Sequence, residues 1–167
     1  MKLSLVAPCY NEEGNVRLFC EEAGKILAGY DYEIVFINDG SKDGTLKVLR
    51  ELYAEKKEQM TIINFSRNFG KEAGLYAGLQ HAKGDYIVII DTDLQQPIEV
   101  AKEMMDFLEE HPEYDEVAAY QEERKEGKIM TLFKSAFYSM INKLCDVELY
   151  KLSLIHISEP TRLALIS

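Results

Sequence analysis

Two aspartates separated by one residue, Asp91-Thr92-Asp93, follow directly on the apolar run 86–90. Carboxylates spaced this way on chain leaving a strand can face one cation, directly or through water. Their hard oxygens suit Mg²⁺ or Mn²⁺, which commonly share their shell with a diphosphate. The same residues have a plainer use, because Asp93 can open the turn ahead of a helix with Pro97 in its first turn. Taken alone, Asp-x-Asp is a weak signal. Its neighbours strengthen it.

Asn38-Asp39-Gly40-Ser41 also ends a run rich in β-branched and aromatic residues. Asp39 can accept hydrogen bonds from a base imide or a ribose hydroxyl, and Gly40 permits close backbone approach. Ser41 and Asp43 read as N-caps of the next helix. Pro8, Cys9 and Tyr10 lead into Asn11, Glu12 and Glu13, which can bind ribose hydroxyls or simply sit at a helix start, where acids suit the macrodipole. Residues 67–71, Arg-Asn-Phe-Gly-Lys, form a compact basic loop in an acidic protein. Arg67 and Lys71 can meet phosphates. For Lys71 by itself, ordinary surface charge is the simpler reading. Arg124 and Lys125, with Lys128 close by, make a second basic cluster, either a clamp for a phosphorylated acceptor near a membrane surface or a solvated charged loop. His81, His111 and His156 are scattered and receive no catalytic role. Cys9 has no evident base beside it and reads as a small packing residue.

The elements that must position these loops follow from periodicity. Residues 2–7, 32–37, 60–65, 85–90 and 117–120 read as strands. Residues 16–27, 45–56, 71–82, 97–110 and 129–144 carry helical spacing. This alternation predicts an α/β fold, a mostly parallel sheet with helices on both faces. In open sheets of this kind ligands bind at the C-terminal ends of the strands. The acidic loops 8–15, 38–45 and 91–97 all fall there.

The chain has 167 residues, which suits about one domain. Hydrophobic residues make up 47% and charged residues 29%, so a folded core is expected. A net charge of −10 argues against a nucleic-acid backbone binder. Three cysteines without Cys-x-x-Cys spacing point to a reducing compartment. The N-terminus lacks a signal-peptide core, and no run approaches the ~20 apolar residues of a membrane span. The expectation for the chain as given is cytoplasmic.

Residues 151–167 differ in composition, with one Glu against Lys151 and Arg162. The run 153–162 resembles translated sequencing-adapter DNA. The expectation is a core of 1–150 followed by a non-native tail of 151–167; the plainer alternative is a terminal strand.

Together the four segments 6–13, 37–45, 66–73 and 91–97 resemble family 2 glycosyltransferases of the GT-A fold. They are most similar to the bacterial polyprenyl-phosphate enzymes related to dolichyl-phosphate mannose synthase. The order and spacing match over roughly 1–150. The resemblance implies that Pro8, Tyr10, Asn11, Glu12, Asp39 and Gly40 cradle the nucleotide, with Thr92 in the same site. It implies that Asp91 and Asp93 are the metal motif, with Asp93 the direct ligand and Gln95 near the sugar or diphosphate. Arg67 and Lys71 then lie on the diphosphate side, and Arg124 and Lys125 approach the lipid phosphate. Two small departures are Asn38 and Gln96, where the family often has Asp. The family continues with an acceptor segment and two membrane helices, so the chain is expected to be a C-terminally truncated core whose full-length parent works at the cytoplasmic face of the plasma membrane.

The implied chemistry is inverting, metal-dependent transfer of a sugar from a nucleotide-sugar, a UDP-sugar foremost, to a polyprenyl phosphate, in service of the cell envelope. Self-association is left open. Three other classes compete. An inactive fragment would still bind nucleotide. A receiver-like binding domain explains the carboxylates but not Tyr10-Asn11-Glu12 or the Arg67 loop. A nucleotidyltransferase would want a basic Gly-rich loop where 8–15 is acidic.

Overall fold

A computed structural model of the chain describes residues 1–119 and 155–158. The elements run β1 (Lys2–Cys9), α1 (Val16–Ile26), β2 (Asp31–Asn38), α2 (Thr45–Glu55), a 3-10 turn (Lys57–Gln59), β3 (Met60–Asn64), α3 (Lys71–His81), β4 (Tyr86–Ile89), α4 (Ile98–Glu110), β5 (Glu116–Ala119) and β6 (Ile155–Ser158). The strands form one sheet in the order β3-β2-β1-β4-β6-β5.

The first four strands are parallel, with β1 central between β2 and β4 and with β3 beyond β2. Their side chains alternate strictly, as the two-residue repeat of a strand requires. Leu3, Leu5 and Ala7 of β1, Tyr32, Ile34 and Phe36 of β2, and Tyr86 and Val88 of β4 face one layer. That layer also holds Val16, Phe19 and Ala23 of α1, Leu49 and Leu52 of α2, and Ala101, Met104 and Leu108 of α4. Phe19 meets Phe36 edge to face, with centroids 5.9 Å apart. Val6, Val35, Ile37 and Ile87 face the opposite layer, which Leu75 and Leu79 of α3 cover. Beside those leucines α3 sets Gly74 and Gly78, both buried, against the sheet. A Cβ on Gly78 would lie 2.8 Å from Ile37 Cδ1.

The β-α alternation read from the sequence therefore stands, with helices on both faces and element ends within two residues of expectation. The parallel pattern ends after β4. There β6 pairs antiparallel with β4, Val88 opposite Ile157, and also antiparallel with β5. The fifth strand is thus separated from β4 by a segment from near the C-terminus. The amphipathic stretch 129–144 and the basic cluster around Arg124 and Lys125 lie outside the described residues.

The N-terminal edge of the sheet, away from the polar loops, carries a buried carboxylate. Ser4 and Glu33 are direct partners across β1 and β2, and they are 0% and 4% exposed. Glu33 Oε1 accepts from Ser4 Oγ at 2.7 Å and from the Lys83 N–H at 2.6 Å. Ser4 Oγ in turn accepts from the Gly84 N–H at 2.8 Å. Lys2 Nζ lies 3.5 Å from Glu33 Oε2. This network ties the chain entering β4 to β1 and β2.

Candidate functional site

Strand order changes direction at β1, since β2 and β3 lie on one side of it and β4 on the other. A doubly wound sheet opens a crevice at such a point, above the C-terminal ends of the two strands that flank it. Here those strands are β1 and β4. The loop after β1 carries Tyr10, Asn11 and Glu12, and the loop after β4 carries Asp91, Thr92 and Asp93.

The polar loops are joined into one hydrogen-bonded rim. Asn11 adopts positive φ, 56°, a conformation asparagine tolerates better than most residues. Its N–H donates to Ser41 Oγ at 2.9 Å, and its Oδ1 accepts from the Lys42 N–H at 2.8 Å. The Glu12 N–H donates to Thr45 Oγ1 at 2.8 Å, and Glu13 Oε2 accepts from the Gly44 N–H at 3.0 Å. The loop after β1 is thereby stitched to the loop after β2. Ser41 is not the helix cap its position suggests. Its hydroxyl donates to Asn38 Oδ1 and takes the Asn11 amide, because the loop continues to Gly44 before α2 begins. Asp43 is not the cap either, since Gly44 holds that position, but its Oδ1 accepts from the N–H of Thr45, the first helical residue, at 3.0 Å. Its carboxyl titrates below the ordinary value. Desolvation opposes this, but bonds from the Thr45 hydroxyl, the Thr45 amide and the Glu13 amide together outweigh it.

Asp39 makes the next link. It is 6% exposed. Its Oδ1 accepts from the Phe69 N–H at 2.7 Å and its Oδ2 from the Gly70 N–H at 3.0 Å. A carboxylate offers about four acceptor positions, so these bonds leave capacity for a ligand. Their immediate effect is to latch loop 67–70 against the end of β2. Gly40 makes that approach possible, having φ 66° and no side chain where the backbone of Arg67 and Asn68 crosses. On the latched loop, the Arg67 guanidinium lies 4.5 Å from the centroid of the half-exposed Phe69 ring.

Lys71, the first residue of α3, completes the rim. Its Nζ lies 2.7 Å and 2.9 Å from the two oxygens of Asp91. Asp93 Oδ1 accepts from the Gln95 N–H at 3.0 Å, a tight turn that includes Leu94 at φ 57°. Thr92 is buried, whereas Tyr10 at the end of β1 is 41% exposed. Pro8 packs beneath α3, its Cβ 3.9 Å from where a Cβ on Gly74 would stand.

The structure thus brings Asn11, Glu12, Asp39, Gly40, Arg67, Lys71, Asp91 and Asp93 onto one connected edge. Arg124 and Lys125 lie outside the described residues. Among the described residues no group of three or more His, Cys, Asp and Glu is placed to hold a metal. Two carboxylates are what the protein offers at Asp91 and Asp93. That donor set fits Mg²⁺ or Mn²⁺ bound jointly with a diphosphate, because such ions take one or two carboxylates and complete the shell with substrate phosphates. The sequence reading missed the Asp39 latch and Glu33. A Glu at an inward position of an otherwise apolar strand was the available signal for Glu33.

Cys9 is buried under this edge, its thiol donating to the Ile37 carbonyl at 3.5 Å. Burial, reinforced by Glu12, Asp43 and Asp39, pushes its pKa up to about 12. The packing role read from the sequence follows, since the thiolate is the reactive form. Iodoacetamide at pH 8 is expected to leave Cys9 unmodified in the folded chain and to modify it in denaturant, as peptide mapping by mass spectrometry would show. Rapid native labelling of Cys9 would contradict its burial.

An α/β sheet whose acidic, hydrogen-bonded edge lies at its switch point has its polar loops where open sheets of this kind bind ligands. The chain belongs to glycosyl transferase family 2, which it matches over residues 4–159. It is 41% identical over 149 residues to CsbB of Bacillus subtilis, a match covering 88% of this chain and 44% of that protein. It is 40% identical over 147 residues to the bactoprenol glucosyl transferase of Shigella phage SfV, covering 86% of this chain and 47% of that protein. The chain therefore spans about half the length of these curated relatives. Among solved structures, it is similar to a mannosyltransferase of Pyrobaculum calidifontis in complex with GDP-Man and Mn²⁺, with TM-score 0.70 at 18% identity over 99% of this chain and 46% of that one. It is also similar to glucosyl-3-phosphoglycerate synthase of Mycobacterium tuberculosis with Mn²⁺, UDP-glucose and phosphoglyceric acid, with TM-score 0.67 at 20% identity over 97% of this chain and 57% of that one. These neighbours establish the GT-A fold expected from the sequence. Among the described residues no helix is long and apolar enough to cross a membrane.

Proposed function

We propose that the protein is an inverting glycosyltransferase that moves glucose from UDP-glucose to a polyprenyl phosphate of the bactoprenol type. The observation that carries this reading is the 40% identity over 147 residues with an enzyme named for that acceptor and sugar. The connected acidic edge supports it by offering each part of a nucleotide-sugar a chemically suited partner.

Tyr10, half exposed at the end of β1, is suited to the base. Glu12 and the free lone pairs of Asp39 are suited to ribose hydroxyls or a base imide. Arg67 and Lys71, at either end of the latched loop, are suited to the diphosphate. Asp91 and Asp93 would hold Mg²⁺ or Mn²⁺, which supplies positive charge against the departing nucleoside diphosphate. Gln95 sits two residues beyond Asp93, suited to the sugar or diphosphate. A phosphate oxygen of the acceptor attacks the anomeric carbon as the bond to the diphosphate breaks, and configuration inverts. A phosphate monoester has its second pKa at about 6, so the nucleophile is already ionised at neutral pH and a strong base is unnecessary. Arg124 and Lys125 are suited to that phosphate. The full-length parent would act at the cytoplasmic face of the plasma membrane.

Residues 151–167 are a tail foreign to the parent in this proposal, on their composition and their resemblance to translated adapter. A strand in the β6 position needs only backbone donors and acceptors, which any such segment provides.

The test incubates the chain with radiolabelled UDP-glucose and undecaprenyl phosphate in detergent. Organic-soluble label that disappears with Asp93→Ala is the expected outcome. UDP-glucose binding without lipid-linked product would leave the donor assignment standing and remove the acceptor assignment for this chain.

A further inference from the structure

Lys71 stands where the rim of loops meets the acidic pair, and its geometry is that of a built contact. It follows directly on the loop that Asp39 fastens through the Phe69 and Gly70 amides. Its single ammonium spans both Asp91 oxygens, at 2.7 Å and 2.9 Å. The two side chains are 40% and 31% exposed, so solvent only partly screens the pair. Asp93 keeps one oxygen on the Gln95 amide.

We propose that Lys71 is a resident counter-ion that couples divalent-metal binding to diphosphate binding at this site. The inference rests on the nucleotide-sugar reading above. A divalent ion approaching Asp91 alone meets a carboxylate already neutralised, with a like charge within a few ångströms. A diphosphate changes both conditions. Its oxygens would take the Lys71 ammonium and so free Asp91 to hold a divalent ion. Lys71 and Asp91 are each paired before and after the exchange, and neither ligand completes it alone. Metal and nucleotide must then each raise the other's affinity by the same factor, because coupling between two binding equilibria is reciprocal. Lys71 is a positioning residue for the metal and a direct contact for the donor.

The test is electron paramagnetic resonance of free Mn²⁺ during titration of the chain, with and without UDP, on wild type, Lys71→Gln and Lys71→Arg. It needs no turnover. Wild type is expected to bind Mn²⁺ at least roughly tenfold more tightly with UDP present, within the usual range for coupled sites. Lys71→Gln is expected to bind Mn²⁺ several-fold more tightly than wild type without nucleotide, and to lose most of the UDP-induced gain. Lys71→Arg is expected to retain the wild-type pattern. Thermal melting confirms that each variant is folded, which the exposed position of Lys71 favours. If Lys71→Gln binds UDP but its nucleotide-free Mn²⁺ affinity equals that of wild type, the coupling role is overturned and the donor site survives. If UDP has no effect on Mn²⁺ binding in the wild type, both readings fall.

Discussion

Replacing Gly40 by alanine is expected to lower the melting temperature by roughly 10 °C, corresponding to about 3 kcal/mol for a domain of this size. Part of the loss is conformational, because a left-handed backbone costs a residue with a Cβ about 1–2 kcal/mol, and Gly40 has φ 66°. The larger part is spatial. The added Cβ would lie 2.6 Å from Arg67 Cα and from the Asn68 nitrogen. Both are backbone atoms and cannot rotate away, so loop 67–70 must lift and the Asp39 bonds to Phe69 and Gly70 must lengthen. Gly29 separates the two causes. It has φ 92° with nothing within 4 Å of its Cβ position, so Gly29→Ala carries conformational strain without overlap. Gly14 has neither a positive φ nor a neighbour within 4 Å and serves as a neutral control. The expected order of loss is Gly40, then Gly29, then Gly14. Equal losses for Gly40→Ala and Gly29→Ala would contradict the close crossing of the two loops.

Glu33→Ala is expected to destabilise the fold by about 2–4 kcal/mol, because hydrogen bonds to charged groups are strong and a buried partner left unpaired carries its desolvation cost. The carboxylate is 4% exposed and accepts from the Ser4 hydroxyl and the Lys83 amide. Its removal takes away the acceptor of the Ser4 hydroxyl and of the Lys83 amide, and weakens the entry into β4. Glu33→Gln keeps an acceptor at Oε1 and is expected to lose about 1 kcal/mol, the worth of an ordinary hydrogen bond. Urea unfolding followed by circular dichroism measures both. The network lies at the opposite end of the sheet from Asp91 and Asp93, so UDP affinity in the folded fraction should be unchanged. A neutral Glu33→Ala would contradict the burial of the carboxylate.

Much of this structure was legible in the residues. Short apolar and β-branched runs and helical spacing located the elements through α4, because the parallel strands are covered on both faces and α1, α2 and α4 each lay an apolar stripe on the sheet. Cys9 was legible as packing because no base accompanied it. Position after a strand placed Asp39, Asp91 and Asp93 at one edge. What escaped depends on contacts distant in sequence. Asp39 reaches amides thirty residues away, and backbone donors leave no mark in residue type. Lys71 was legible as a phosphate contact, but its pairing with Asp91 was not, because that partner lies twenty residues on. Ser41 had the residue type of a cap but sits too early in its loop, and the Asn11 amide claims it instead. The place of β6 between β4 and β5 was hidden for the same reason as the Asp39 latch, since strand pairing is made by backbone groups.

The most direct measurement is calorimetric titration of UDP into the folded chain, with Mn²⁺ and with chelator, for wild type and Asp93→Ala. The central claim is that the edge running from Asn11 through Asp39 and Lys71 to Asp93 is a nucleotide-sugar site. It predicts UDP binding that strengthens with Mn²⁺ and loses that dependence in Asp93→Ala. No UDP binding by a folded wild type, or binding indifferent to both Mn²⁺ and Asp93, would contradict it.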